Sequence, residues 1–320
     1  MPTALITGVG GQDGGYLAER LVSDGVEVHA LSLPDEAPVD GVRTHVGDVA
    51  DVEATRALVL ELAPDEIYNL AAVSSVARSW QEPELTARVN GVAAVGLLES
   101  AHQLQERTGR QVRFVQASSA EIFGLPERSP QDEDTPVRPA NPYGAAKAFA
   151  HHMVDVYRHR GLPAVSLVLY AHESPRRAAP FVTRKITAGV AAIANGSAAR
   201  LTLGNLAAVR DWGWAPDFVD AMVRAARSDV SRDYVVATGE SHSVEDFVDA
   251  AFRCVGIDDW SAYVDVDPAL FRPSDAAALV GDSTRIRTDL GWAPTIGFEE
   301  IVRRMVEADL SLLAPPTARG

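Results

Sequence analysis

The 320-residue chain holds a single cysteine, Cys254, which excludes an internal disulfide and a cysteine-ligated metal cluster. It has no stretch of about 18 uncharged apolar residues, so a membrane-spanning helix is not expected. Basic side chains are in deficit, with 29 Lys and Arg against 44 Asp and Glu and a net charge of −15. Such a chain has no long-range attraction for nucleic acid or anionic lipid, although a local basic pocket can still hold a phosphorylated small molecule. The opening MPTALITG lacks the basic segment that precedes the apolar stretch of a signal peptide. Aromatics are few at 7 %, yet hydrophobic residues reach 47 %, too many for a disordered chain and enough for a sizeable core. The expectation is a cytoplasmic globular protein without metal, membrane or nucleic-acid partners.

What the chain does have is a regular alternation of short β-branched runs and amphipathic stretches. Ala4–Thr7, Val26–Leu31, Thr44–Val46, Glu66–Leu70, Val112–Ala117 and Ala164–Leu169 read as strands. Between them Gly14–Ser23, Val52–Leu62, Thr86–Arg107 and Pro142–Gly161 carry helical periodicity. Helix-length crossovers between strands predict an α/β fold, a Rossmann-type doubly wound parallel sheet with both faces covered. After Tyr170, prolines punctuate shorter elements, which predicts a smaller mixed α/β substrate-binding domain. The expected boundaries are 1–170 for the sheet domain and 171–209 with 239–320 for the smaller one. Returning segments near 210–238, with a strand at Val235–Thr238, are expected to rejoin the sheet.

Thr7-Gly8-Val9-Gly10-Gly11-Gln12-Asp13-Gly14 lies between the first strand and the first helix. Gly8 suits a tight turn, Gly11 lets the backbone approach a pyrophosphate, and Gly14 allows close packing of helix on strand. The helix N-terminus offers free N–H groups to the anion. In this position the spacing points to a dinucleotide-binding domain. An acid at the end of the second strand would bond a ribose 2′-hydroxyl, and an arginine would hold a 2′-phosphate. Ser32-Leu33-Pro34-Asp35-Glu36 has no arginine and its acids come late, so local charge leans to NAD while NADP stays open. Asp48, after the third strand, either binds the adenine amino group or serves as a turn or capping carboxylate.

Asn141-Pro142-Tyr143-Gly144-Ala145-Ala146-Lys147 opens a helix. Asn141 suits the N-cap and Pro142 the first helical position, so Tyr143 and Lys147 share one face. A free phenol titrates near ~10. The Lys147 ammonium is expected to stabilise the phenolate and lower that value, making Tyr143 a base for a hydroxyl proton. Ser119 and Glu121 follow the strand Val112–Ala117, and ligands of parallel sheets bind beyond such carboxyl ends. Ser119 can bond the reacting hydroxyl. Glu121 is either a second acid/base group, able to remove a proton next to a new carbonyl, or a solvated loop carboxylate.

Together these motifs resemble the extended short-chain dehydrogenase/reductase superfamily. Longer stretches are similar to the GDP-mannose 4,6-dehydratase family, among them ITGVGGQDGGYLAE, YNLAAVSSVARSW, QASSAEIFG, NPYGAAKAFAHHMV, HESPRRAAPFVTRKIT and LTLGNLAAVRDWG. The resemblance implies a lyase that oxidises C4 of GDP-mannose, eliminates water across C5–C6 and reduces C6. It implies NADP or NAD, kept bound and regenerated each cycle. Catalysis falls to Ser119, Glu121, Tyr143 and Lys147. The cofactor falls to Tyr143, Lys147, Gly8, Gly11, Gln12, Asp13 and Gly14, and further to Asp48, Val49, Leu70, Ala71, Ala72, His172 and Arg177. The GDP-sugar falls to Ser74, Val182, Lys185, Leu203, Arg210, Arg272 and Asp275, with an Arg210–Asp211 salt bridge as the structural alternative.

A homodimer or higher homo-oligomer is implied, with apolar residues of Val92–Leu98 and Ala145–Val156 as a contact or as packing against the sheet. The chain departs from the family pattern at Leu33 and Pro34, where arginines usually stand, and at Val73, Leu85, Ala171 and Trp214. A nucleotide-sugar reductase or epimerase, and a catalytically silent dinucleotide-binding regulator, are the alternative readings.

Overall fold

The computed structural model describes residues 1–271 and 278–314. The first half opens with β1 (Thr3–Thr7), α1 (Gln12–Ser23), β2 (Glu27–Ser32), β3 (Val42–Val46), α2 (Val52–Leu62) and β4 (Glu66–Asn69). Next come α3 (Val76–Gln81), α4 (Pro83–Ala87), a π-helical turn Arg88–Val92, α5 (Ala93–Thr108) and β5 (Arg113–Ala117). A 3₁₀ turn Ala120–Phe123, α6 (Pro142–His159) and β6 (Ala164–Leu169) follow. The second half runs β7 (Ala171–Glu173), α7 (Val182–Ala194), β8 (Leu201–Leu203), β9 (Val209–Arg210), β10 (Trp212–Trp214), α8 (Ala215–Arg227) and β11 (Tyr234–Val236). It ends with β12 (His242–Ser243), α9 (Val244–Arg253), β13 (Val264–Val266), β14 (Ala278–Leu279), α10 (Thr284–Leu290) and α11 (Phe298–Leu313).

Among the described residues, seven strands form one sheet in the order β11-β6-β5-β4-β1-β2-β3, every neighbouring pair parallel. The predicted doubly wound sheet is therefore present. Its inner strands are apolar on both faces because helices cover both. On one face Leu17 and Leu21 of α1 pack with Phe218 and Met222 of α8. On the other, Leu97 and Leu98 of α5 pack with Val154 and Tyr157 of α6 over Leu5, Ile67 and Phe114. Each such fully buried side chain contributes roughly 1.5–3 kcal/mol relative to exposure.

Most element ends fall within a residue or two of the sequence reading, and three differences have a local reason. The helix expected over Thr86–Arg107 is present and runs longer, from Pro83 through α4, a π-helical bulge at Arg88–Val92 and α5 to Thr108. The bulge lets the buried Asn90 side chain grip Val73, accepting its N–H at 2.8 Å and donating to its carbonyl at 3.1 Å. The first helix starts at Gln12 rather than Gly14, with Gly11 as its N-cap. The returning strand ends at Val236 because Thr238 turns away to donate its N–H to Asp211 at 2.9 Å.

A second core gathers Ile186 and Val190 of α7, Phe247 and Phe252 of α9, and Phe298 and Val302 of α11 around Trp212. Short sheets border it, β8 with β13, β7 with β10, and β9 between β12 and β14. Among the described residues no helix is long and apolar enough to cross a membrane. At the carboxyl ends of the main strands a buried polar chain ties the sheet together. Thr7 Oγ1 donates to Asn69 Oδ1 at 2.7 Å, Asn69 Nδ2 to Gln116 Oε1 at 2.8 Å, and Gln116 Nε2 to the Ala117 carbonyl at 3.0 Å. Loops leaving these ends start from fixed positions.

Candidate active site

The β1–α1 turn is shaped for backbone rather than side chains. Gly8 has φ 75°, and a Cβ there would lie 2.7 Å from the Ala71 nitrogen. A Cβ on Gly14 would lie 2.2 Å from the Gly8 carbonyl oxygen, so α1 packs directly on the end of β1. Gly11 contributes no capping side chain, which leaves the first N–H groups of α1 to an anion. Residues 70–72 run alongside, with the Leu70 and Ala71 N–H groups donating to Thr7 Oγ1 at 3.2 and 3.1 Å. Exposed backbone at Gly10 and Gly11 beside an uncapped helix end fits a dinucleotide pyrophosphate. Asp48 is an exposed turn carboxylate at the end of β3, accepting the Ala50 N–H at 2.8 Å beside buried Val49; Asp51 is the cap of α2.

Asp13 stands in this turn and would repel a phosphate if left alone. Its Oδ2 lies 2.8 Å from His172 Nε2, and His172 Nδ1 lies 2.7 Å from the Tyr170 carbonyl oxygen. Burial pushes the Asp13 carboxyl up, but His172 and then Arg177 outweigh it and hold the group below its ordinary value. Burial pulls His172 down, and the Asp13 charge and hydrogen bond outweigh that, leaving the ring raised. Gln12 donates to the His172 carbonyl at 3.0 Å and accepts from the Ser174 hydroxyl at 2.8 Å. Arg177 places its Nε 3.2 Å from Glu173 Oε2 and its guanidinium 3.7 Å from the Phe181 ring centroid. Gln12, Asp13 and His172 thus meet one another, and β7 braces the turn from behind.

The second cluster lies where β5 ends and α6 begins. Lys147 is buried, donates to the Ala117 carbonyl at 2.7 Å, and sits 5.9 Å from the Tyr143 ring centroid. The Ser119 hydroxyl lies beside the Tyr143 phenol, near enough to favour its ionised form. The fold brings Ser119, Tyr143 and Lys147 together as expected. Their electrostatics are the reverse of the expectation. Burial pushes the Tyr143 phenol up to about 12; the Ser119 hydroxyl and Arg177 pull against it, while the Glu121 and Asp13 carboxylates add to it. Burial also pulls Lys147 down to about 8, with Asp13 opposing. Removing water from an ionised phenol costs more here than the protein's own cations return.

Glu121 is partly buried and held in place. Ser119 Oγ caps the 3₁₀ turn by accepting the Glu121 N–H at 3.3 Å. Asn141 caps α6 through its Oδ1, which accepts the Gly144 N–H at 2.8 Å, and its Nδ2 donates to Glu121 Oε2 at 2.7 Å. Gly144 makes the contact possible, since a Cβ there would lie 2.4 Å from the Glu121 carbonyl oxygen. The helix that carries Tyr143 therefore seats on the turn that carries Glu121. Sequence reasoning saw Asn141 only as a cap and passed over Gly144 and Asn90. A glycine inside a helix's first turn, which costs about 1 kcal/mol against alanine, was the available signal for Gly144. Asn90 showed only as an amide beside Gly91 within an apolar stretch.

The remaining residues, Ser74 apart, are spread over the second half. Val182 and Lys185 lie on the first turn of α7, Lys185 exposed; Leu203 is buried on β8. Arg210, half-buried on β9, donates to the Val209 carbonyl at 2.7 Å. Asp211 is buried and accepts from the backbone of Thr238, Gly239 and Gly281. Ser74 is exposed ahead of α3. Arg272 and Asp275 lie outside the described residues.

A parallel sheet with a bare glycine turn after β1, and Ser119, Tyr143 and Lys147 beyond β5, defines a dinucleotide-dependent short-chain dehydrogenase/reductase of the extended kind. The GDP-mannose 4,6 dehydratase family profile matches residues 5–305. GDP-mannose 4,6 dehydratase 1 of Arabidopsis thaliana is 41 % identical, over 97 % of this chain and 90 % of the relative. The human GDP-mannose 4,6 dehydratase is 40 % identical, over 97 % and 92 %. The chain belongs to the GDP-mannose 4,6 dehydratase family. Its cofactor is NADP or NAD. Among solved structures, Thermus thermophilus UDP-glucose 4-epimerase in complex with NAD has a TM-score of 0.83 at 29 % identity, covering 96 % of this chain and 98 % of that one. The Thermotoga maritima UDP-glucose 4-epimerase shares the fold at a TM-score of 0.87 and 23 % identity, covering 98 % and 100 %.

Proposed function

We propose that this chain dehydrates GDP-mannose to GDP-4-keto-6-deoxymannose. One observation carries the reading beyond family membership: Glu121 is anchored by Asn141 close enough to Tyr143 to disfavour its phenolate, yet on a separate element. Oxidation at one carbon needs one proton acceptor; elimination at the next needs a second. Tyr143, beside Ser119, takes the C4 hydroxyl proton as that carbon is oxidised. The 4-ketone acidifies C5–H, Glu121 takes that proton, and the C6 hydroxyl is protonated as it leaves as water. C6 is then reduced and C5 reprotonated. A bound nicotinamide supplies the hydride acceptor and donor, and its oxidised ring is cationic, a charge that favours the phenolate.

The GDP moiety is assigned to Val182, Lys185, Leu203 and Arg210, whose two cations suit a diphosphate. The α7, α9 and α11 core supports a nucleotide-sugar-binding domain of 171–209 and 239–320 beside a dinucleotide-binding domain, except that Ile286 of α10 and Trp292 pack in the sheet core while Trp212 and Trp214 of β10, in the segment expected to rejoin the sheet, pack in the second core. Val92, Phe149 and Val156 are about half exposed on adjoining elements and support a homodimer, whereas Leu97 and Leu98 face the sheet. Cytoplasmic location fits this chemistry.

Incubation with GDP-mannose tests the function. The expected product is lighter by one water, with no net gain of reduced cofactor. An epimeric hexose, or stoichiometric NADH or NADPH, would refute the proposal in favour of an epimerase or dehydrogenase.

A further inference from the structure

We propose that this chain prefers NAD to NADP and that Glu36 decides it, by accepting a hydrogen bond from the adenosine ribose and repelling a 2′-phosphate; this rests on the dinucleotide site and on no particular sugar. β2 ends at Ser32. The acid that marks an NAD site stands near such an end, about 20 residues past the glycine turn. Here Leu33 and Pro34 follow Ser32, and Glu36 is too far along the chain to reach back if the backbone were extended. It does not stay extended. Leu33–Glu36 is a turn closed by the Glu36 N–H on the Leu33 carbonyl at 3.1 Å, with Pro34 in the second position that suits it.

The returned side chain lies on the glycine turn. A Cβ at Gly10 would meet Glu36 Cδ at 3.1 Å and Oε2 at 3.2 Å. That carboxylate oxygen is buried without a hydrogen-bond partner. So is the hydroxyl of Ser32, a residue only 3 % exposed. Two acceptors withdrawn from water with no donor are costly, and each buried polar group of this kind calls for a partner. A ribose presents hydroxyl donors. A 2′-phosphate presents acceptors and about −2 of charge near neutral pH. The basic side chains of the adjoining β3 are engaged elsewhere: Arg43 pairs with Glu27 at 2.5 Å, and His45 Nε2 lies 2.8 Å from His29 Nδ1.

Calorimetric titration of the purified full chain, cleared of copurified nucleotide, with NAD⁺ and with NADP⁺ reads the preference without turnover. NAD⁺ should bind about 10- to 100-fold tighter, the range of a hydrogen bond to a charged group. Glu36→Gln should bring the two dissociation constants within about threefold, and adding Leu33→Arg should favour NADP⁺. Asp35→Asn, which neutralises the exposed neighbouring acid, should keep the parent ratio. NADP⁺ binding as tightly as NAD⁺ to the parent chain overturns the proposal. So does a parent-like ratio in Glu36→Gln, or an equal shift in Asp35→Asn. Binding of neither dinucleotide overturns it together with the site on which it rests.

Discussion

The two proton-handling regions touch one another and are built on opposite principles. Around Tyr143 and Lys147 the protein works by excluding water: the phenol is driven up to about 12 and the ammonium down to about 8, each toward its neutral form. Around Glu121 it works by attachment, with Asn141 donating to the carboxylate and Ser119 capping the turn beneath it. The first region is tuned by its surroundings and responds to arriving charge. The second is aimed, and its usefulness lies in where the carboxylate points. One serine, whose hydroxyl meets both the phenol and the Glu121 backbone, couples them.

The largest expected effect separates the regions by removing the first. Tyr143→Phe deletes the only proton acceptor assigned to the C4 hydroxyl, and turnover should fall about 10³- to 10⁴-fold. In a single turnover with GDP-mannose no reduced cofactor should appear. A burst of parental size would make Tyr143 a spectator and Glu121 the sole base.

Glu121→Gln keeps the shape and removes the base of the second region. C4 oxidation should survive, so absorbance of reduced cofactor should rise and stay high, while the deoxy product forms about 10²- to 10³-fold more slowly. If both steps slow together, the two regions act as one unit and the division drawn above fails.

How much of this is written in the sequence follows from how local each cause is. The sheet and the glycine turn are legible because apolar periodicity and the need for bare backbone at Gly8 and Gly14 are properties of a few consecutive residues. Tyr143 and Lys147 are legible as a pair because helix spacing sets their face. The sign of their pKa shifts is not, since spacing gives nearness but not the depth of burial that dominates it. Nor is the π-helical bulge in the long predicted helix, because apolar spacing continues through Arg88–Val92 and only the buried Asn90 amide marks it. Glu36 looks displaced until the Leu33–Glu36 turn closes.

Asn141→Asp tests attachment alone. Aspartate caps a helix as well as asparagine does, so stability should change by less than about 1 kcal/mol. The amide donor facing Glu121, however, becomes a like charge. Elimination should slow about 10-fold, because the donor that aims Glu121 Oε2 is lost and a repelling carboxylate takes its place. An unaltered elimination rate would mean that the Asn141 amide does no more than decorate the cap.

The last comparison leaves turnover aside, concerns Lys147 and probes water exclusion directly. Lys147 and Lys185 are the only lysines in the sequence, so Lys185→Arg grown with ¹³C-labelled lysine shows a single side-chain signal. Its titration midpoint should lie near 8, against 10.5 for an ordinary lysine. Between those values the unfolded chain holds a proton that the folded chain has released. Raising pH through that window therefore stabilises the fold, and below it the folded protein carries the ammonium at its full desolvation cost. Tyr143 has the opposite sign, but its contribution stands until pH passes above 10 and is lost only on approach to about 12. Relative to Lys147→Met, the unfolding free energy should thus climb between pH 8 and 10 by at most about 1.4 kcal/mol per unit. A midpoint above 10 with a flat difference would put water beside Lys147, and the phenol beside it would then need no incoming charge to ionise.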